Sequence, residues 1–203
     1  CGTGVVLQEA LLMGYHAYGT DINERMVTYS ERNLKWLKNI KNANVEGRKG
    51  KISDFAAEGA KQCDKISDLS HCEAPETCVF DVLQGDATSF HWEQPIDAVA
   101  CEGYLGKPFS KIPTEMELKE QKQECGTIVL GFLKNLASQI KTETPVTIAA
   151  PAWLRENGEY SRLEIVDEIE KLGYNVNNKT REGLLYHRER QVVARDILIL
   201  RKK

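Results

Sequence analysis

No apolar run in this 203-residue chain approaches the ~18–20 residues needed to cross a bilayer, which excludes a membrane-spanning helix. Positive charge is not in excess either. The chain has 27 Lys and Arg against 30 Asp and Glu, a formal net charge of -3. A surface that binds polyanions throughout is therefore excluded, while local basic patches stay open. None of the six cysteines forms a Cys-x-x-Cys pair, and their irregular spacing excludes a disulfide scaffold. No signal-peptide pattern is visible, so a reducing, cytoplasmic setting is expected. An initial Met is also lacking. The chain opens on Cys1-Gly2-Thr3-Gly4, a glycine turn with no strand before it. We expect the C-terminal part of a longer protein, with a first strand upstream of Cys1.

Hydrophobic residues at 41% and charged residues at 28% are ordinary for a globular chain. The length suits one domain over residues 1–203 that carries an insertion. Cys101 and Cys125 lie in apolar or helical surroundings and read as small buried hydrophobes.

Alternation of elements is the main signal. Residues 5–13 read as a helix stopped by Gly14, 15–21 as a strand ending in an acid, and 23–39 as a helix. Met26, Tyr29, Leu34 and Leu37 are candidates for the inner face of that second helix. Residues 42–77 are polar and poor in large apolar side chains. They read as a surface insertion with a short helix near 54–63. Strands are expected at 78–84, 96–101, 145–150, 174–179 and 192–200, and helices at 114–140 and 161–172. This order predicts an α/β, Rossmann-like, mostly parallel seven-stranded sheet. The last two strands are too close for a convincing crossover helix, so an antiparallel C-terminal hairpin is expected.

Four tips fall at the carboxyl ends of the expected strands, the edge where open α/β sheets bind ligands. Gly2 and Gly4 open a helix, where backbone N–H groups are free and a ligand can approach closely. Asp21 can accept both hydroxyls of a ribose, or cap the next helix. Asp86, in Gly85-Asp86-Ala87, can accept from an adenine amino group or simply close a turn. Glu102-Gly103-Tyr104-Leu105-Gly106 sets a carboxylate beside an aromatic ring, suited to a planar amine-bearing base. The competing reading there is a loop whose tyrosine packs on the sheet edge.

A glycine turn plus an acid suits a nicotinamide dinucleotide or S-adenosylmethionine. Leu7 stands where the dinucleotide fingerprint needs its third glycine. The Asp86 tip and the closing hairpin also fit a dinucleotide fold poorly. S-adenosylmethionine has no pyrophosphate and needs no third glycine, so it is the cofactor expected.

Cys1-Gly2-Thr3-Gly4, Gln8-Glu9-Ala10 and Tyr18-Gly19-Thr20-Asp21-Ile22-Asn23 resemble the first two motifs of class I methyltransferases. They are most similar to the RNA methylase family that forms the catalytic domain of THUMP-linked tRNA guanosine-N2 methylases. The run from Gly183 to Arg188 and the run from Val193 to Leu198 are similar to that family's closing hairpin. The resemblance implies that Cys1, Gly2, Gly4, Asp21, Ile22, Asp86 and Ala87 hold the cofactor. It implies that Glu102, Gly103 and Tyr104 present the target base. The family's Asp-Pro-Pro-Tyr motif is here Glu102-Gly103-Tyr104, with a longer acid and without the stiffness of proline. The partner implied is RNA, tRNA in particular, with an RNA-binding domain N-terminal in the same polypeptide. The exocyclic amine of DNA adenine is the alternative target. An RNA-binding or scaffold protein of weak activity is the alternative of another class.

Three signals are weaker. Cys63, His71, Cys72 and Cys78 could offer metal ligands but lack the paired spacing of a zinc site, and no metal is expected. Lys35, Lys38, Lys41, Arg48, Lys49 and Lys51 form one basic region, and Lys179, Arg181, His187, Arg188 and Arg190 another. Trp153 could line the substrate side or pack in the core.

Overall fold

The computed structural model describes residues 1–45, 79–179 and 184–203. Most of the expected insertion, with Cys63, His71, Cys72, Cys78, Arg48, Lys49, Lys51, Arg181 and Gly183, lies outside the described residues. The chain divides into two units, Cys1–Gly85 and Asp86–Lys203.

In the first unit, helix α1 (Val5–Leu12) starts directly after Gly4 and ends before Gly14. Gly14 takes φ 87°, a value a side chain would resist. Its N–H bonds the Leu11 carbonyl, and the Tyr15 N–H bonds that of Ala10, the paired bonds that close many helices. Strand β1 (Ala17–Asp21) follows, then α2 (Glu24–Val45). Asn23 Oδ1 accepts from the Arg25 N–H at 3.0 Å and so caps α2. Strand β2 (Phe80–Gln84) pairs parallel with β1. Leu7, Leu11, Ala17, Leu34 and Val82 make this unit's core. Val27 and Leu37 pack against it, whereas Tyr29, an expected inner-face residue, is exposed.

The second unit is built on β4 (Pro145–Leu154) and β8 (Val193–Lys202), which pair antiparallel along nearly their full length. Strand β3 (Val99–Glu102) pairs parallel with the first half of β4. Strand β5 (Tyr160–Arg162) pairs antiparallel with its end. On the far side of β8 lie β6 (Tyr174–Val176) and β7 (Leu185–Tyr186), both antiparallel to it. The antiparallel β6–β8 pair joins the last two expected strands, and β7, in the stretch read as their connection, adds a second antiparallel neighbour to β8.

The expectation of one mostly parallel seven-stranded sheet is corrected. Among the described residues, a two-stranded parallel sheet and a six-stranded mixed sheet are present, and only β3–β4 is parallel in the larger one. Two of the antiparallel neighbours, β5 beside β4 and β7 beside β8, are joined by links too short for the crossover a parallel neighbour needs. The expected helix at 161–172 shrinks to α4 (Val166–Lys171). Its first residues join β5, because a turn at Asn157-Gly158 folds the chain back on β4. Gly158 has φ 82°, and the Arg155 N–H bonds the Glu159 carbonyl at 2.8 Å.

Helix α3 (Glu115–Ala137) starts at a capping box. Thr114 accepts from the Glu117 N–H, and the Glu117 carboxylate accepts from the Thr114 N–H. Leu118, Gln121, Cys125, Val129, Leu133 and Leu136 recur every three or four residues, so one stripe of α3 is buried. Cys125 is fully buried as expected, while Cys101 is half-buried. Burial raises the Cys125 thiol to about 11, followed by the nearby Glu124 charge. Against the α3 stripe pack Val146, Ile148, Leu198 and Leu200 from the central strands, with Trp153 and Tyr174 wholly enclosed. Among the described residues no helix is long and apolar enough to cross a membrane.

Leu133 is 0% exposed at the middle of this core. Leu133→Ala should lower the unfolding free energy of the second unit by about 2–5 kcal/mol, measured by urea unfolding. An unchanged midpoint would mean that α3 does not seal the sheet.

Candidate cofactor and acceptor sites

The glycine loop forms because two residues take conformations that L side chains avoid. Gly2 has φ 55° and Gly4 has φ 84°. The Gly4 N–H closes the turn on the Cys1 carbonyl at 3.0 Å. A Cβ on Gly4 would sit 3.1 Å from the Ser30 side chain, while one on Gly2 would meet nothing within 4 Å. Helix α2 holds the loop from beneath. Ser30 Oγ donates to the Gly2 carbonyl at 2.8 Å, and Asn33 Nδ2 donates to the Thr3 carbonyl at 2.9 Å.

Asp21 ties the loop to the strand end. Its Oδ2 accepts from the Gly2 N–H at 2.9 Å and the Cys1 amino nitrogen at 3.1 Å, and its Oδ1 from the Asn23 N–H at 2.9 Å. Burial pushes its carboxyl upward. The N–H donors of Asn23 and Gly2, with the Cys1 nitrogen, outweigh that push, so the group lies below its ordinary 3.8. The capping role considered for Asp21 belongs to Asn23. Beside it, Ile22 is 70% exposed, an apolar side chain left without cover at the end of β1. Thus Cys1, Gly2, Gly4, Asp21 and Ile22 come together in the first unit.

Asp86 and Ala87 belong to the second unit. Asp86 Oδ1 accepts from the Thr88 N–H at 2.9 Å and its hydroxyl at 2.8 Å, which keeps the carboxyl below its ordinary value. Asn135 Nδ2 on α3 donates to the Ala87 carbonyl at 3.0 Å and the Phe90 carbonyl at 2.8 Å, so this turn is fixed to the helix.

Glu102 ends β3 opposite Ala149. The Gly103 N–H then donates to the Ala149 carbonyl at 3.2 Å, a bond no proline could make. Gly106, at φ 84°, lets the chain turn onto α3, where Gln121 Oε1 accepts from the Lys107 N–H at 2.7 Å. Tyr104 is 40% exposed. Burial and then the negative charge of nearby Glu124 raise its phenol above the ordinary value. The Glu102 carboxylate forms an ion pair with Arg195 Nε on β8. Glu102, Gly103 and Tyr104 therefore share one edge of the second unit.

Several contributors were not singled out from sequence. Ser30 and Asn33 recur at helical spacing from Val27, the only hint that they share the face of α2 that meets the loop. Arg195 and Gln121 carried no signal, because their partners are distant in the chain. Trp153 is 0% exposed and packs in the core. Of the basic residues, Lys35 pairs with Glu31 at 2.8 Å, Lys38 lies over the Phe80 ring, and Lys179 pairs with Glu170 at 2.7 Å. Among the described residues no cluster of His, Cys, Asp and Glu could hold a metal ion.

The structure superposes along 100% of the chain on 87% of a candidate S-adenosylmethionine-dependent methyltransferase from Listeria monocytogenes, with TM-score 0.50 and 11% identity. The chain has a Rossmann-like methyltransferase fold. A candidate rRNA methylase from Clostridium thermocellum is similar over 100% of this chain and 85% of its own, with TM-score 0.49 and 13% identity. A SAM-dependent methyltransferase from Methanosarcina mazei is similar over 100% and 89%, with TM-score 0.47 and 12% identity. No protein-family profile matches the chain, and no curated protein matches it.

The methyltransferase fold here depends at its first strand end on Asp21. A carboxyl with a depressed folded value stabilises above its unfolded value and loses that contribution as pH falls through the folded one. Asp21→Asn should therefore lower the stability of the first unit at neutral pH. The gap to the native chain should close as pH drops below 3.8, read by urea unfolding across that range. A gap independent of pH would show that the Asp21 charge is not what holds the loop.

Proposed function

We propose that this chain is an S-adenosylmethionine-dependent N-methyltransferase that acts on a base in RNA, guanosine N2 of tRNA in particular. The observation that carries the reading is the left-handed Gly2–Gly4 turn tied by Asp21 to the end of β1, on a methyltransferase fold. The likeness of the Cys1–Gly4 and Tyr18–Asn23 runs to tRNA guanosine-N2 methylases supports the narrower target.

The residues present fit the cofactor. Open space above Gly2 admits a ligand to the backbone. The Asp21 carboxylate is held ionised and retains acceptor capacity for hydroxyls. Ile22 offers exposed apolar surface for a ring. Cys1, Gly2, Gly4, Asp21 and Ile22 of the first unit would hold it. When bound, the cofactor supplies an activated sulfonium methyl group.

The remaining work falls to the acceptor edge. Glu102 and the Gly103 carbonyl accept hydrogen bonds from the exocyclic amine and aim its lone pair. The half-exposed Tyr104 ring gives the base a face to stack on. Once the bound cofactor had supplied that methyl group, the amine would lose one proton to solvent. Alignment and electrostatic stabilisation carry the rate, with no strong base needed. His187, Arg188 and Arg190 are exposed around the β7–β8 turn and would meet phosphates of the nucleic acid.

Calorimetric titration of S-adenosylmethionine, with NADH as control, should show binding by the former alone. Asp21→Ala should weaken that binding about tenfold or more. Radiolabelled methyl transfer to bulk tRNA should fall on the order of 100-fold in Glu102→Ala, to a slow but measurable rate, with cofactor affinity kept. Transfer to DNA and not tRNA would move the target to adenine. Cofactor binding with no transfer to either would leave a scaffold protein.

A further inference from the structure

Glu102 and Arg195 lie on different strands of the larger sheet with β4 between them, a span of roughly 9–10 Å. The ladder places them on one face. Glu102 is opposite Ala149, Arg195 is opposite Pro151, and Tyr186 is opposite Arg195. The two residues beneath the bridge, Ala149 and Pro151, are short, so the long side chains meet above β4.

Pro151 also marks a break in the sheet. The Leu154 N–H bonds the Val192 carbonyl, so even-numbered residues of β4 bond toward β8 and odd-numbered ones toward the other edge. The donor that Pro151 lacks therefore falls on the side where the neighbour changes from β3 to β5. The chain leaves the sheet beside that break, through Gly103 and Tyr104. A carboxylate at a strand end beside a gap would sample several rotamers unless something held it. Arg195 is half-buried and sits within the β-ladder, while Glu102 is the more exposed partner. Arg188, whose Nε donates to the Tyr186 hydroxyl at 3.4 Å, lies within electrostatic reach of Glu102.

We infer that Arg195 is a positioning residue. Through Nε it fixes Glu102 Oε1, and it leaves Oε2, which has no partner among the described residues, aimed for the amine of the substrate. This deepens the proposed function and rests on it. Arginine suits the role because its planar fork is preorganised, whereas an ammonium holds no orientation.

The test is a double-mutant cycle on methyl transfer to bulk tRNA, with Arg195→Met, Glu102→Ala and the pair, and Arg195→Lys and Arg195→Gln as further variants. Arg195→Met should lower kcat on the order of 10–100-fold with KM for tRNA little changed. Arg195→Lys should recover part of the loss, and Arg195→Gln should behave as Met does. In the Glu102→Ala background, Arg195→Met should have no further effect. Cofactor affinity and the thermal midpoint identify variants that remain folded. An equal loss in both backgrounds, or an effect on KM alone, overturns the inference and makes Arg195 an RNA contact. Full turnover in Glu102→Ala would remove the acceptor role of Glu102 and this inference with it. So would an absence of turnover by the native chain on any RNA.

Discussion

The antiparallel ladder between β4 and β8 is what the second unit depends on. It runs from Pro145 opposite Arg201 to Trp153 opposite Val193. One face of the ladder, with Val146, Ile148, Leu198 and Leu200, buries apolar surface against α3, and burial of this kind is the main driving force for such a unit. The other face carries Ala149, Pro151 and Arg195 and becomes the floor of the edge proposed to hold the acceptor. Because side chains alternate strictly, a slip of one residue would bring Asp196 out of the core and turn Arg195 into it. Asp196 is 0% exposed and pairs with Arg162 at 3.8 Å, so the register also fixes where a buried charge finds its partner.

The first unit rests on a smaller constraint. Asp21 accepts from the Gly2 and Asn23 N–H groups at once, and so joins the turn before α1 to the turn before α2. Gly19 allows the close approach this needs, since a Cβ there would come 2.7 Å from Leu7 Cδ1. Ser30 and Asn33 on α2 hold the Gly2 and Thr3 carbonyls, so the loop is fixed on both its N–H and its carbonyl sides.

At the acceptor edge, stiffness comes from contacts rather than from prolines. The Gly103 N–H extends the β3–β4 pairing, and Gln121 grips Lys107. These contacts restrain the loop that follows Glu102, where glycine alone would leave it free. The Glu102 carboxylate at the start of that loop is braced by Arg195.

Much of this was legible in the chain. Glycines at Gly2, Gly4 and Gly14, the acid ending β1, and the three-and-four spacing along α3 follow from local rules that act over a few residues. So does the shortness of the link to β8, which already implied an antiparallel neighbour. The turn at Asn157-Gly158 was not read from the sequence: residues 161–172 read as one helix, and pairing with β4 gives its first residues to β5. What only the tertiary structure decided are the pairings between distant residues: Glu102 with Arg195, Ser30 with the Gly2 carbonyl. Sequence pattern reports which face a side chain takes. Which opposite charge or carbonyl it meets depends on strand order and register, and these emerge only when the whole sheet is assembled.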